Sequence, residues 1–168
     1  MENKIKRLGF LLHDLSPSQI SYQLIKTGNE LLKTTDKIDL ALFYRNFSVS
    51  VAEANFGTFT AYECFNYTGI VVATDLQGAA NILKWPGPNR NKMYFYLNDL
   101  EWIRLRGQPG VDFESLAAVY LNPKLNIICR SETHKEIFES CWRKCAGVIE
   151  GGDVKQFVKL LWPESDNE

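Results

Sequence analysis

The chain lacks most of the features that assign a protein to a class on sight. No run approaches the roughly 18 apolar residues of a membrane-spanning helix, and the apolar segment near the start is cut short by His13 and Asp14, too early for a signal peptide. The chain therefore reads as cytosolic, without a membrane span. Charge of either sign is not in excess: 19 basic residues face 20 acidic ones. Such a balance gives no overall field for nucleic acid, which is excluded as the expected partner. The four cysteines, Cys64, Cys129, Cys141 and Cys145, form no C-x-x-C pair. With only His134 near Cys141 and Cys145, and two helical turns away, no metal site is expected and all four are read as reduced packing residues. There is no P-loop, no nucleophile elbow and no G-x-G-x-x-G turn after the first strand, where Pro17 stands instead of glycine. A P-loop ATPase, an α/β hydrolase and a dinucleotide-dependent dehydrogenase are thereby disfavoured.

What is present is an alternation of apolar runs and amphipathic stretches. At 168 residues the chain is the size of one domain, expected over 1–168 with a loose tail from 163. Strands are expected at Leu8–Leu12, Ile38–Tyr44, Ile70–Ala73, Met93–Leu97 and Leu125–Cys129, with a short sixth at Val148–Ile149. Between them, capping signals open helices: Ser16 with Pro17 and Gln19 before a helix to about Lys33, Ser50 with Glu53, and Thr60 with Glu63. Further helices are expected over Leu76–Trp85, stopped by Pro86, after Asp112, from Ser131 to Cys145, and over Val154–Leu161. The stretch Asn55–Thr58 reads as a loop. Strands without internal alternation, each followed by a helix, predict a Rossmann-like α/β three-layer sandwich: a mainly parallel sheet of five or six strands with helices on both faces.

Five of these strands leave through polar residues. Right-handed crossovers would point every strand the same way and bring all five exits to one edge, where open parallel sheets bind ligands. The candidates are His13 and Asp14, Arg45 and Asn46, Thr74 and Asp75, Asn98 to Glu101, and Arg130 to His134, with Arg130 and Ser131 foremost in the last. His13 and Asp14 offer a general base and a carboxylate, although adjacent residues seldom face each other and Asp99 would make the better acid partner. Those three are the catalytic candidates. Arg45 and Arg130 suit phosphate or carboxylate. Asp75, Asp99 and Glu101 suit sugar hydroxyls or a cation, while Asn46, Asn98 and Ser131 complete the ligand-binding set. Helix capping alone accounts for Ser16, Thr74 or Asp75, and Ser131. Trp102, near Tyr94 and Tyr96, offers either packing or a stacking platform.

Three phrases, FGTFTAYECFNYTGIVVATDLQGAANIL, YFYLNDLEW and LNPKLNIICRSETHKEIFESCW, resemble in their order of strand, polar exit and helix the first half of a two-domain glycosyltransferase of the GT-B type, over residues 56–145. The resemblance implies a domain that binds a nucleotide, nucleotide-sugar or sugar at the carboxyl ends of its strands, with a nucleotide-sugar as donor. Such enzymes place the sugar-nucleotide site on a second Rossmann-like domain, often with glutamates in E-x7-E spacing. Glu132 and Glu139 are one residue closer, and the chain after Glu150 is too short for that domain. A partner subunit or a homodimer would then complete the cleft. The alternative is a non-catalytic assembly module, with Phe157, Leu161 and Trp162 packing between subunits.

Overall fold

A computed structural model describes residues 5–48, 52–84, 93–105, 107–109 and 112–163. Seven strands form one parallel sheet: β1 (Lys6–Leu15), β2 (Ile38–Phe47), β3 (Gly57–Thr60), β4 (Ile70–Ala73), β5 (Met93–Leu97), β6 (Leu125–Cys129) and β7 (Gly147–Val148). Their order is β3-β2-β1-β4-β5-β6-β7, so the chain builds outward from β1 on one side, returns, and builds outward on the other. This is a doubly wound, Rossmann-like arrangement, with seven strands where five or six were expected.

The helices are α1 (Gln19–Leu32), α2 (Leu76–Lys84), α3 (Glu101–Arg104), α4 (Phe113–Tyr120), α5 (Glu132–Cys141) and α6 (Val154–Leu161), with 3-10 turns at Ala61–Asn66 and Glu150–Gly152. Strand side chains alternate between two cores. Leu8, Phe10, Leu12, Leu40 and Leu42 meet Leu24 and Ile25 of α1 and Phe157 of α6. Leu11, Ala41, Phe43, Phe95 and Ile127 meet α2, α4 and α5 through Ile82, Tyr120 and Phe138. Both faces are covered, which is why the strands carry apolar residues at successive positions.

The chain departs from the sequence-based expectation at β1 and β2. Pairing continues to Asp14↔Asn46 and Leu15↔Phe47, whereas β4 pairs with β1 only at Leu8–Leu11. The two strands thus run past the sheet as a ribbon, and His13, Asp14, Arg45 and Asn46 lie within strands rather than after them. Ladder hydrogen bonds use the backbone and need no apolar side chain, and the Asn46 amide adds a bond to Asp14 Oδ1 at 2.8 Å. The longer β1 delays the helix that follows. Ser18, not Ser16, is the N-cap, accepting from the Ser21 amide, and Pro17 precedes the helix.

Other corrections are local. Asn55–Thr58 is not wholly loop, because Gly57 opens the edge strand β3 against Ala41–Tyr44. Thr60 makes no side-chain cap, and the segment behind it is a 3-10 turn. Glu101–Arg104 forms a helical turn. Helix α5 stops at Cys141, and Glu139 receives the Cys145 amide at 3.0 Å as the chain curls back. The last strand is shifted to Gly147–Val148. Cys141 is exposed rather than packed. Phe157 is fully buried, so it is unavailable to a subunit interface. The Ser50 cap, the Trp85–Pro88 stop and the tail from Glu164 lie outside the described residues.

One glycine is fixed by space alone. A Cβ on Gly69 would stand 2.5 Å from the Arg7 carbonyl oxygen and 2.4 Å from the Tyr67 ring. Gly69→Ala is expected to cost about 1–3 kcal/mol, the usual range for overpacking. Urea unfolding monitored by circular dichroism measures it; an unchanged midpoint would contradict the steric argument.

Candidate functional site

Strand order reverses between β1 and β4, and the carboxyl ends of those strands frame the crevice that this topology provides. Thr74 closes its floor: its backbone amide and its hydroxyl both donate to the Leu11 carbonyl, at 3.0 and 3.1 Å. Asp75 follows. Its Oδ1 accepts from the Gly78 amide at 2.7 Å and so caps α2. Its Oδ2 is buried with no hydrogen-bond partner.

The same helix end receives a second carboxylate from far along the chain. Both oxygens of Glu101 lie 3.1 Å from the Leu76 amide. Glu101 is 8% exposed, and burial pushes its pKa up from 4.5 to about 7. The bond from Leu76 opposes that rise, and nearby Asp75 adds to it. A carboxyl poised near neutrality has the acidity suited to proton exchange.

Asp75 and Glu101 line a cavity of about 560 Å³ between α2 and α4, together with His13, Gln77, Arg104 and Ser115. Its apolar wall is Leu76, Ala80, Leu105, Leu116 and Val119. A second cavity, about 540 Å³, opens between β2, the Ala61–Asn66 turn and α2, with Arg45 and Asn46 in its lining. There Arg45 Nη2 is buried without a partner. An unmet buried donor or acceptor costs about 1–3 kcal/mol.

In comparisons with protein-family models, with curated proteins and with solved structures, nothing matches this chain significantly. The site must be understood from its own chemistry.

The five exits divide rather than converge. His13, Asp75 and Glu101 share the first cavity; Arg45 and Asn46 belong to the second. Asp14, Asn98, Asp99, Arg130 and Ser131 line neither. Asp99 accepts from the Leu100 amide and pairs with Arg104 at 3.1 Å. Arg130 donates to the Asn98 carbonyl, fastening the end of β6 to that of β5. Ser131 caps α5 through the His134 amide, and its hydroxyl lies 2.9 Å from His134 Nδ1. Burial and the Arg130 charge lower the His134 pKa.

His13 Nε2 and Asp14 Oδ1 are 3.9 Å apart, too far for a hydrogen bond. Trp102, half-buried, is packed edge-on against Tyr120, Phe138 and Trp142, at 5.3, 5.9 and 6.1 Å between centroids, the packing role of the two that the sequence offered. Among the described residues no cluster of three His, Cys, Asp or Glu side chains is placed to hold a metal, and no helix is long and apolar enough to cross a membrane.

Sequence reasoning passed over Gln77, Arg104 and Ser115. The place of Arg104 beside Glu101 depends on the single turn of α3. Gln77 and Ser115 sit in the first turns of α2 and α4, where an exposed polar residue is ordinary.

Proposed function

We propose that this domain binds a hydroxyl-rich ligand of sugar type in the cavity between α2 and α4. The observation that carries the reading is Asp75 Oδ2, a buried acceptor with no donor, in the lining of a cavity large enough for a sugar. A ligand hydroxyl is the simplest group to complete it. Glu101 and His13 in the same lining supply further polar contacts, and Leu116 and Val119 offer the apolar surface on which a sugar ring rests.

The sugar, rather than a phosphate, suits this cavity because two amide donors in the first turn of α2 are already used by carboxylates. An open helix N-terminus attracts phosphate. Here the Leu76 and Gly78 amides are taken by Glu101 and Asp75, and two carboxylates offset the positive end of the helix. This ligand class agrees with the glycosyltransferase-type resemblance over residues 56–145. Within a transferase, Glu101 is the group we assign to accept a proton from a bound sugar hydroxyl, since its pKa of about 7 leaves it half ionised at neutral pH.

The test is thermal unfolding in millimolar glucose, galactose, UDP, UDP-glucose and GDP-mannose. A ligand at a hundredfold its Kd stabilises by about 2.7 kcal/mol, which for a domain of this size raises Tm by roughly 5–10 °C. A rise is expected with at least one free sugar, or with a sugar nucleotide beyond any rise given by UDP alone, and His13→Ala, a change at an exposed side chain, should reduce that sugar-dependent part. No rise with any sugar-bearing compound would overturn the proposal.

A further inference from the structure

We infer that the second cavity is an oxyanion site, built on Arg45, for a phosphate or carboxylate on a molecule that also bears a planar ring. Along β2 the side chains of Ala41 and Phe43 enter the core beneath α2 and the 61–66 turn. Two residues further, strand alternation puts Arg45 in the same row. The strand does not end there, because Asn46 is still paired with Asp14. A guanidinium therefore occupies a place that the next apolar residue of the row would fill.

Its lack of a partner distinguishes it from the other described arginines. Arg7 meets Thr68 and Asp39, Arg104 meets Asp99, Arg130 donates to the Asn98 carbonyl, and Arg143 donates to the carbonyls of Tyr120, Asn122 and Leu125. Arg45 has no ion pair among the described residues, and its Nη2 is buried and unmet. No Asp or Glu among the described residues lines this cavity. The guanidinium charge therefore stands there without a counter-charge among the described residues.

The surroundings fit an oxyanion with a ring attached. The planar fork of a guanidinium matches the oxygens of phosphate or carboxylate. The Thr60 hydroxyl makes no cap bond to the turn behind it. Asn81 accepts from Gln77 through Oδ1, which leaves its amide hydrogens for another acceptor. Tyr62, 81% exposed, lines the same cavity and offers a face to a planar group. The first cavity, with two carboxylates, would repel what this one attracts. The inference stands on Arg45 and does not depend on the sugar site.

Isothermal titration calorimetry on the full chain tests it with four probes: uridine 5′-monophosphate, orotate, uridine and inorganic phosphate. The monophosphate or orotate should bind at least tenfold more tightly than uridine or phosphate. Tighter binding of the monophosphate identifies a phosphate ligand, and of orotate a carboxylate. Arg45→Met should weaken that binding at least tenfold while the unliganded variant melts at the same temperature or higher, because an unmet buried donor has been removed. Should Arg45→Met fail to fold, Arg45→Lys, which keeps the charge and loses the fork, should weaken binding several-fold. Failure of both the monophosphate and orotate to bind the unaltered protein would overturn the inference, as would an affinity unchanged by these substitutions.

Discussion

Glu101→Gln should flatten the pH dependence of stability between about pH 4.5 and 7. In the unfolded chain the carboxyl ionises near its ordinary 4.5, while in the fold it holds its proton up to about 7. Between these values the folded state binds the extra proton, so stability falls as pH rises. The full contribution is present below 4.5 and is gone above about 7. At about 1.4 kcal/mol per pH unit, the loss is on the order of 3 kcal/mol. Glutamine is neutral throughout and its carbonyl oxygen can still accept from Leu76. The variant should therefore match the protein near pH 4 and exceed it by up to about 3 kcal/mol at pH 8. The depressed pKa of His134 acts in the opposite sense below its ordinary 6.5, but it is common to both proteins and cancels in the difference. Urea unfolding at several pH values measures this difference. Parallel profiles would show that Glu101 ionises in the fold as it does in the unfolded chain. If Glu101 also serves a bound sugar, the stabilised variant should bind it less tightly, the exchange expected where a functional group is held in an unfavourable place.

That exchange also marks where the sequence stopped being legible. Strands β4, β5 and β6 and helix α6 lie where their apolar patterns put them, because a strand covered on both faces or a helix with one deep apolar stripe leaves little choice. The ends of β1 and β2 were hidden, since His13, Asp14, Arg45 and Asn46 look like loop yet continue a ladder made by backbone groups. β3 was hidden because three of its four residues are exposed and no pattern records its burial. The site suffered most. Polar exits were visible one by one, but their grouping depends on strand order, which places β1 between β2 and β4 and sends Arg45 and Asp75 to different cavities. The capping of α2 by Glu101, 25 residues away, has no local signal at all.

Phe157→Ala is expected to give the largest loss of stability among the substitutions considered. The ring has no exposed surface and meets Phe10 of β1 and Tyr96 of β5 edge-on, with centroids 5.0 and 5.1 Å apart. It joins the two halves of the doubly wound sheet on the face that carries α1 and α6. Removing a buried phenyl ring costs about 3–5 kcal/mol, or a fall in Tm of roughly 6–20 °C at this size. The void would not close easily. Helix α6 is held at its start by Asp153, which receives the Lys155 amide, and by the Val154 amide donating to Thr27 of α1 at 3.0 Å. Tyr96 is held by its hydroxyl on the Ile149 carbonyl at 2.9 Å. With neighbours fixed at both ends, the lost contacts are not recovered by a small shift. Both cavities lie on the opposite face of the sheet, so the affinity for their ligands should be unchanged at temperatures where the variant remains folded. A loss below about 1 kcal/mol would mean that α6 is free to settle, and a large change in ligand affinity would mean that the two faces of the sheet are coupled through β1.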